Sequence, residues 1–262
     1  MDPLAAFIEL MEGPLPDLTL DRACLLIAGA LGPDEVDVEG ELARLDALAA
    51  GVAESSVDAV VHHLFGAERF AGDHDDYYDV ANSLLPRVLD RRRGIPITLS
   101  IITIEVARRA GVALVGVGLP GHFLVGDPAD SDRFVDPFSG GVTLDRQACR
   151  RLFEHLHGPE ASFVDTYLDP VGPRAIVARV LANLKQITAA RGDRHRLVQV
   201  LKMRSAIPRI GQGERAELAD ALASAGRFDE AASQLDALAE RSAPADADRL
   251  RQAAIRARAH MN

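Results

Sequence analysis

The sequence predicts an α+β fold in which a small antiparallel sheet lies between two helical regions. A helix that is apolar around most of its circumference runs from Pro96 towards Gly111, and three short strand-like segments follow it directly. Helical periodicities fill the chain before this helix, and the chain from about residue 174 onward is helical only. We therefore expect two domains, a mixed domain at residues 1–173 and an all-α tail at residues 174–262.

The overall composition is that of a globular protein with a packed core. Of the 262 residues, 48% are hydrophobic and 26% are charged, which are ordinary values for a folded domain. The formal net charge of −10 argues against nucleic-acid binding, which needs basic patches to displace counterions. We therefore expect no nucleic-acid partner.

Cysteine use and the apolar segments predict a cytoplasmic protein. Cys24 and Cys149 are too few for a disulfide scaffold and have no metal-ligand spacing. The first residues lack the basic and apolar regions of a signal peptide. The most apolar stretch, residues 95–107, is interrupted by polar side chains and is too short to span a bilayer. We expect no membrane contact.

Helical patterns dominate the chain before residue 70. Residues 20–31 and 41–52 carry apolar side chains at three- and four-residue spacings, around a turn at 32–34 that contains Pro33. A shorter helix is predicted at 57–65. The polar loop at 72–76 is interpreted as a connector rather than a metal site, because its His and Asp residues are adjacent in sequence.

Two helices are predicted on either side of Gly94. Asn82 or Ser83 can cap the first, and the basic run at 91–93 suits its last turn, where cations favour the helix dipole. We therefore interpret the three arginines as a feature of the helix end, and anion binding is the alternative interpretation. Gly94 is the expected left-handed stop of the first helix, and Pro96 suits the first turn of the second.

Three strands and a further helix are predicted next. The strands are expected at residues 112–118, 122–125 and 134–138. A turn is expected at Pro120 and Gly121, and the polar loop at 127–132 joins the last two strands as a hairpin. The helix is expected at 144–156.

The tail contains a weak internal repeat with a period of about 34 residues, which is typical of a helix-turn-helix unit. The later unit is marked by small and large residues in alternation: Ala219, Leu222, Gly226, Phe228, Ala231 and Leu235. A shift back by one period places Gly192 opposite Gly226 and Leu201 opposite Leu235. The later unit is similar to a tetratricopeptide repeat, and the earlier unit is degenerate.

A buried helix followed by a small antiparallel sheet is how papain-type enzymes present a catalytic triad. The nucleophile lies at the N-terminus of the helix, where the dipole lowers the pKa of a thiol. A histidine on one strand is the base, and an Asp or Asn on the next strand orients it. His122 and Asp136 fall one on each arm of the predicted hairpin. They face each other if the register pairs 122 with 136, whereas a slip of one residue would separate their faces.

Five motifs carry a family resemblance. They are Tyr77-Tyr78, Asn82-Ser83, residues 92–100, residues 118–125 and Asp136-Pro137-Phe138. Together they resemble the SirB family (the first of the SirB proteins), over nearly the whole chain. The resemblance implies a bacterial protein with a transglutaminase-like core followed by a tetratricopeptide-like tail.

The resemblance makes Pro96 the decisive residue. In active transglutaminase-like enzymes, a Gly-x-Cys opens the buried helix at a fixed spacing before a second glycine. Gly94-Ile95-Pro96 stands at that position relative to Gly111. Proline has no nucleophile and no backbone N–H for an oxyanion. The resemblance therefore implies that the nucleophile is missing.

Few neighbouring residues can substitute for it. Ser100 returns to within roughly 40° of the face of Pro96, but it lies about 6 Å further along the helix axis. Thr98 faces away from Pro96, and Cys149 lies on a later predicted helix with no local sign of activation. Ser100 is therefore the best of these alternatives.

We expect a non-catalytic binding or regulatory protein built on a degenerate transglutaminase-like core. His122 and Asp136 then either pin two strands or line a cleft for a peptide or small polar ligand, and both interpretations remain open. The alternative is a hydrolase or acyl transferase with a relocated nucleophile such as Ser100, in which His122 is the base and Asp136 orients it.

The expected partner is a protein or peptide, bound at the cleft and on the concave face of the tail. The polar face of the tail mixes both signs of charge: Arg204, Arg209, Arg215, Glu214, Glu217 and Asp220. We expect no cofactor and no metal, although zinc at His122, Asp136 and a third ligand is a distant option. His155 and His157 are interpreted as a helix end, because residues two apart on a helix point to different sides. The oligomeric state, the ligand and the biological process are not predicted.

Overall fold

The structure is a computed structural model that describes residues 2–32, 34–208 and 212–260. Pro33 of the predicted turn and Arg209 of the predicted polar face lie outside the described residues. The chain divides into two compact units. One is Pro14–Val180, and the other joins the first 13 residues to the chain from Leu181 onward.

The helices and strands are as follows, in chain order. The helices are α1 (Pro3–Glu12), α2 (Leu20–Leu31), α3 (Val38–Ala50), α4 (Val57–Val61), α5 (Leu85–Arg91), α6 (Pro96–Arg109), α7 (Arg146–His157), α8 (Pro173–Ala190), α9 (Arg194–Ala206), α10 (Gln212–Ser224), α11 (Phe228–Ala239) and α12 (Pro244–Ala259). The strands are β1 (Ala71–Gly72), β2 (Arg93–Gly94), β3 (Val115–Val117), β4 (Leu124–Asp127), β5 (Asp130–Asp136), β6 (Val142–Leu144) and β7 (Pro170–Val171). Short 3-10 helices lie at Leu15–Asp17, Val80–Ser83 and Asp165–Leu168, and a π-helical turn at His62–Ala67 follows α4.

The central element of the Pro14–Val180 unit is α6. Every residue from Pro96 to Ala107 is buried. Its buried polar side chains have hydrogen-bond partners, as when the hydroxyl of Thr103 donates to the carbonyl of Leu99 at 2.9 Å. The near-continuous apolar sequence of α6 explains this burial, and the prediction of a helix covered on nearly all sides is confirmed.

A five-stranded antiparallel sheet packs beside α6, in the order β6-β5-β4-β3-β7. Strands β3, β4 and β5 correspond to the three predicted strands, with shifted ends, and β6 and β7 add one strand to each edge. The predicted α+β class is therefore confirmed. The edge strands have only two or three residues each, which is too short for a clear alternation in the sequence.

The register between β4 and β5 differs from the direct pairing of 122 with 136. Val125 lies opposite Val135, where the direct pairing would have put Arg133. A displacement of two residues preserves the faces of a strand, because side chains alternate with a period of two. His122 precedes β4 and lies in a turn, whereas the sequence predicted it within the strand.

The segment before α6 departs from the prediction at both ends of α5. Asn82 and Ser83 lie in a 3-10 helix, and Leu84 takes the N-cap position of α5. Arg92, with φ of 57°, takes the left-handed conformation that was predicted for Gly94. Gly94 instead continues into β2, which pairs in parallel with β1.

In the second unit, α9 to α12 pack against one another in sequence order, and α1 packs on α9. Gly192 and Gly226 have φ of 67° and 74° in the turns before α9 and α11, a conformation that favours glycine. Phe7 and Met11 of α1 are fully buried. The predicted boundary at residue 174 is near the start of α8, whereas the two compact units meet within that helix. Among the described residues, no helix has the length and apolarity needed to cross a bilayer.

Candidate functional site

His122 and Asp136 form a buried hydrogen-bonded pair. The Nε2 atom of His122 is 2.9 Å from Oδ1 of Asp136. The exposed fractions of the two residues are 8% and 2%. The structure thus brings together the two residues that the hairpin prediction had placed near each other.

The turn after β5 completes the hydrogen bonds of Asp136. Oδ1 also accepts from the backbone N–H groups of Phe138 and Ser139 at 3.0 and 3.3 Å, and Oδ2 accepts from the hydroxyl of Ser139 at 2.8 Å. Burial opposes ionisation of Asp136, but the hydrogen bonds from His122 and Ser139 outweigh it and lower the pKa of the carboxyl. Asp136 is therefore held as a carboxylate.

The ionised state of Asp136 determines which nitrogen of His122 carries the proton. A carboxylate can only accept hydrogen bonds, so Nε2 of His122 is the donor in this contact. In the neutral imidazole, Nδ1 is then an acceptor with a lone pair. Among the described residues, Nδ1 has no hydrogen-bond partner. The ring can therefore accept a hydrogen bond from a ligand.

The turn that carries His122 is held from two sides. Gly121 has φ of 75°, and the N–H of His122 donates to the carbonyl of Leu119 at 3.0 Å. From α8, Nη2 of Arg179 donates to the carbonyls of Leu119 and His122 at 2.8 and 2.6 Å. From α7, Nε2 of His157 donates to the carbonyl of Pro120 at 2.9 Å. These bonds fix the backbone from which the imidazole projects.

A cluster of aromatic side chains lies next to the His122–Asp136 pair, and Phe138 is at the centre of this cluster. The centroid of the Phe138 ring is 6.0 Å from that of His122, 5.9 Å from that of Tyr77 and 4.5 Å from that of His74. Tyr78 packs on Tyr77 at 5.2 Å and is 62% exposed. The buried pair is therefore connected to the surface through aromatic rings.

Comparison with known proteins identifies the core. The sequence model of the transglutaminase-like superfamily matches residues 37–182, which is more than half of the chain. The chain belongs to the transglutaminase-like superfamily. The matched range contains His122, Asp136, Pro96 and Arg179. The predicted transglutaminase-like core is therefore confirmed.

The relatives are bacterial and eukaryotic. A UPF0162 protein of Xylella fastidiosa is 46% identical over 135 residues, which cover 50% of this chain and 48% of the relative. A UPF0162 protein of Pseudomonas aeruginosa is 38% identical over 124 residues, covering 47% and 45%. Human F-box only protein 21 is 28% identical over 208 residues, covering 72% and 32%. The chain spans about half the length of the two bacterial relatives it matches, and no solved structure matches it.

In this transglutaminase-like core, α6 begins at Pro96, which is buried. The start of the helix is held by Thr98, whose hydroxyl accepts from the N–H of Ile95 at 3.2 Å and donates to the carbonyl of Asn82 at 2.7 Å. Pro96 contributes neither a nucleophile nor an N–H here. The side chain of Thr98 thus serves the backbone.

The side chain of Ser100 is also hydrogen-bonded to the backbone. It is fully buried, and its hydroxyl donates to the carbonyl of Phe123 at 3.4 Å. The structure thus places Ser100 beside the residue that follows His122, and no hydrogen bond links its hydroxyl to the imidazole in the described part of the chain.

The two cysteines are buried away from solvent. Burial, with a smaller contribution from Asp145, raises the pKa of Cys149 to about 12. Burial also raises the pKa of Cys24 well above that of an ordinary thiol. Because the thiolate is the nucleophile, both side chains are held in the unreactive form. Within the described ranges, no group of three or more His, Cys, Asp or Glu side chains could hold a metal ion.

Sequence reasoning missed three parts of this site. Phe138 and Ser139 come two and three residues after Asp136, and the turn-forming Pro137 was an available signal for this bend. Phe138 entered the sequence analysis only as part of a family motif. Arg179 lies on a helix that the sequence assigned to the tail, and it bonds to carbonyl oxygens that every residue carries. No residue-type pattern could have indicated that contact.

Proposed function

We propose that this chain is a non-catalytic binding or regulatory protein, whose cleft at His122 and Asp136 recognises a peptide or small polar ligand without turning it over. One observation carries the proposal. Asp136 is fully hydrogen-bonded and holds His122 by its Nε2 atom, yet Pro96 stands where the family resemblance puts the nucleophile. The finer assignment to the SirB type, with a tetratricopeptide-like tail, belongs to the same proposal.

The surroundings of the imidazole support a role in binding. Among the described residues, no serine, threonine or cysteine side chain hydrogen-bonds to the ring of His122. The hydroxyl of Ser139 donates to Asp136, and that of Ser100 donates to Phe123. A base without an adjacent nucleophile can still accept a hydrogen bond from a ligand N–H or O–H.

The aromatic cluster suits a peptide ligand. Tyr77 and Tyr78 are 36% and 62% exposed, so their rings offer apolar faces together with hydroxyl groups. A few polar groups that converge within an aromatic lining are typical of small-ligand and peptide sites. Such a cleft would combine an acceptor at His122 with stacking on Tyr77 and Phe138.

The alternative is a hydrolase or acyl transferase with a relocated nucleophile. The observation that favours it is the same assembled pair, since His122 and Asp136 have the geometry of a base and its orienting group. In that case a hydroxyl such as that of Ser100 would have to leave its buried position. A covalent probe separates the two functions.

The test is labelling of the purified protein with a fluorophosphonate for hydroxyls and iodoacetamide for thiols, read by mass spectrometry. We expect no labelling that depends on His122, with His122→Gln as the control. Labelling that disappears in His122→Gln would identify a working nucleophile and overturn the binding proposal in favour of the enzyme.

The tail is proposed as a second partner surface. In the described part of α8 to α10, Lys185 pairs with Glu217, and Arg204 pairs with Glu214. This pairing leaves a polar face of mixed charge, which suits a protein surface. A cut at residue 174 would remove buried residues of the Pro14–Val180 unit, so deletion of residues 181–262 is the cleaner test. If the shortened chain stays folded and keeps every partner of the intact chain, the tail is no docking surface.

A further inference from the structure

Arg179 is a half-buried cation that lies against the backbone of the candidate site. Its Nη2 atom donates to the carbonyl oxygens of Leu119 and His122 at 2.8 and 2.6 Å. Its guanidinium carbon is 5.4 Å from the centroid of the Phe123 ring. All of these groups belong to the Pro14–Val180 unit.

Arg179 differs from other partly buried arginines of the same unit. Arg109 pairs with Asp21 at 2.6 Å, and Arg92 pairs with Glu68 at 2.8 Å. In the described part of the chain, no carboxylate lies within salt-bridge distance of Arg179. Burial lowers the pKa of the Arg179 guanidinium, and the nearby phenol of Tyr77 opposes that shift. Burying a cation without a counter-charge is costly, so a positive charge at position 179 needs an explanation beyond stability.

Holding the backbone of the His122 turn uses only some of the hydrogen-bond donors of Arg179. The carbonyls of Leu119 and His122 occupy Nη2, whereas a guanidinium carries five N–H donors. Among the described residues, Nη1 and Nε have no hydrogen-bond partner. Gly118 lies beside Nη1, and a Cβ at that position would come within 3.3 Å of it. The two carbonyls and the ring of Phe123 account for the positive charge in part, and the donors on Nη1 and Nε can still serve an anionic ligand.

We propose that Arg179 binds a carboxylate of the ligand, so that the cleft takes peptides with a free carboxylate, at the C-terminus or on an acidic side chain. This inference rests on the proposed binding function and names its ligand class. The acceptor at His122, the rings of Tyr77 and Phe138 and the cation at Arg179 then recognise three different features of one peptide.

The charge balance favours a carboxylate over a phosphate. Asp136 is ionised and bonds to the same histidine whose carbonyl Arg179 holds. One negative charge on the ligand compensates Arg179. A phosphate dianion would instead leave an excess of negative charge close to Asp136, which is unfavourable.

The test uses three libraries of acetylated tripeptides. One has a free C-terminal carboxylate, one has a C-terminal amide and no acidic residue, and one has a C-terminal amide and one glutamate. The intact protein retains peptides on an ultrafiltration membrane, mass spectrometry identifies them, and titration calorimetry measures their affinities. We expect retention from the first or the third library, and which of these two is retained identifies the source of the carboxylate.

Substitutions then assign the preference to Arg179. In Arg179→Gln, the affinity for the retained acidic peptide should fall by about tenfold to a hundredfold, which is typical for loss of a charged hydrogen bond. The affinity for its neutral amide counterpart should fall by a smaller factor, because that peptide presents no carboxylate to the charge. Arg150→Gln is the control, since Arg150 also lies over an aromatic ring, that of Phe163 at 4.8 Å, but pairs with a carboxylate, that of Asp165 at 3.8 Å. If Arg179→Gln does not fold, the inference is tested by the affinities of the wild type and of Arg179→Lys for acidic and neutral peptides. Because lysine keeps the positive charge, Arg179→Lys should still prefer the acidic peptide.

Three outcomes would overturn the inference: equal affinity of the wild type for acidic and neutral peptides, retention of no acidic peptide, or an equal fall of both affinities in Arg179→Gln. Neutral peptides that bind in a manner dependent on His122 would leave the proposed binding function intact while removing the carboxylate. Cleavage of a retained peptide would contradict the proposed non-catalytic function but not the proposed preference for acidic peptides.

Discussion

The candidate site has a sheet side, formed by His122, Asp136 and the turn to Ser139, and a helix side, formed by residues 82–83 and the start of α6. The two sides differ in how completely their polar groups are hydrogen-bonded. On the sheet side, the carboxylate of Asp136 accepts four hydrogen bonds, from His122, Phe138 and Ser139. On the helix side, Oδ1 of Asn82 and Oγ of Ser83 are buried and have no hydrogen-bond partner among the described residues. Buried polar atoms are usually paired, so the difference is informative.

This difference separates what the fold needs from what a nucleophile would need. The sheet side is closed by a local turn and does not depend on any group at position 96. The helix side is organised by Thr98, whose hydroxyl serves the backbone of Ile95 and Asn82. Substitutions on the two sides should therefore have very different effects on stability and on chemistry.

The largest effect is expected on the sheet side. Asp136→Ala leaves the N–H of His122, two backbone N–H groups and the hydroxyl of Ser139 without their acceptor in a buried setting. Each buried donor that is left without its acceptor costs about 1–3 kcal/mol, so the total loss should reach about 3–5 kcal/mol. Urea unfolding of the variant measures the loss.

Asp130→Ala is the matched control for that substitution. Asp130 lies at the opposite end of β5, is exposed, and accepts one hydrogen bond from the N–H of Asp132. A surface change of this kind is expected to stay within about 0.5 kcal/mol. Equal losses in the two variants would contradict the stabilising role of the Asp136 network.

The pH dependence of stability sharpens the assignment. Burial opposes ionisation of Asp136, but its hydrogen bonds with His122 and Ser139 keep its pKa below the ordinary value of about 3.9. A carboxyl with a lowered folded-state pKa contributes stability above its unfolded pKa, and that contribution is lost as the pH falls through the folded value. The difference in stability between wild type and Asp136→Asn should therefore be largest above about pH 4 and shrink in stronger acid. A difference that grows in acid would show that Asp136 is not held as a carboxylate.

Local signals account for the parts of the site that the sequence predicted. Pro96 starts α6, and Gly111 has φ of 75° just after its end, as expected of a proline start and a glycine stop. The hairpin brought His122 near Asp136. The register differed by two residues because the pairing shifts between Gly126 and Asp127, and alternation alone does not specify such an irregularity.

Long-range contacts were beyond the sequence for a physical reason. Arg179 is 57 residues from His122 along the chain, and it bonds to a backbone carbonyl. Such a contact leaves no pattern of residue types, since every residue carries that acceptor. In the same way, the packing of α1 on α9 joins two helices from distant parts of the chain. An apolar stripe predicts burial without naming the surface that covers it.

A smaller but chemically specific effect is expected at position 96. In Pro96→Cys, a buried thiol would lie at the start of α6, where we expect the helix dipole to outweigh burial and to lower the thiol pKa below its free value of about 8.5. Alkylation by iodoacetamide as a function of pH measures this pKa. Ser100→Cys is the control, because position 100 is fully buried and burial should raise the pKa of a thiol there. A pKa of about 8.5 or above in Pro96→Cys would show that the helix side no longer activates a nucleophile.

The smallest effect is expected where the helix side has no hydrogen bond to lose. Ser83 is 2% exposed, and its hydroxyl has no partner among the described residues. Ser83→Ala removes a buried polar atom without breaking a bond, so stability should change by no more than about 0.5 kcal/mol or should rise slightly. Thr98→Val, by contrast, removes the hydrogen bonds to Ile95 and Asn82 and should cost about 1–2 kcal/mol. Thermal unfolding of the two variants compares them directly. A large loss in Ser83→Ala would mean that its hydroxyl is bonded in solution, and the contrast between the two sides of the site would then disappear.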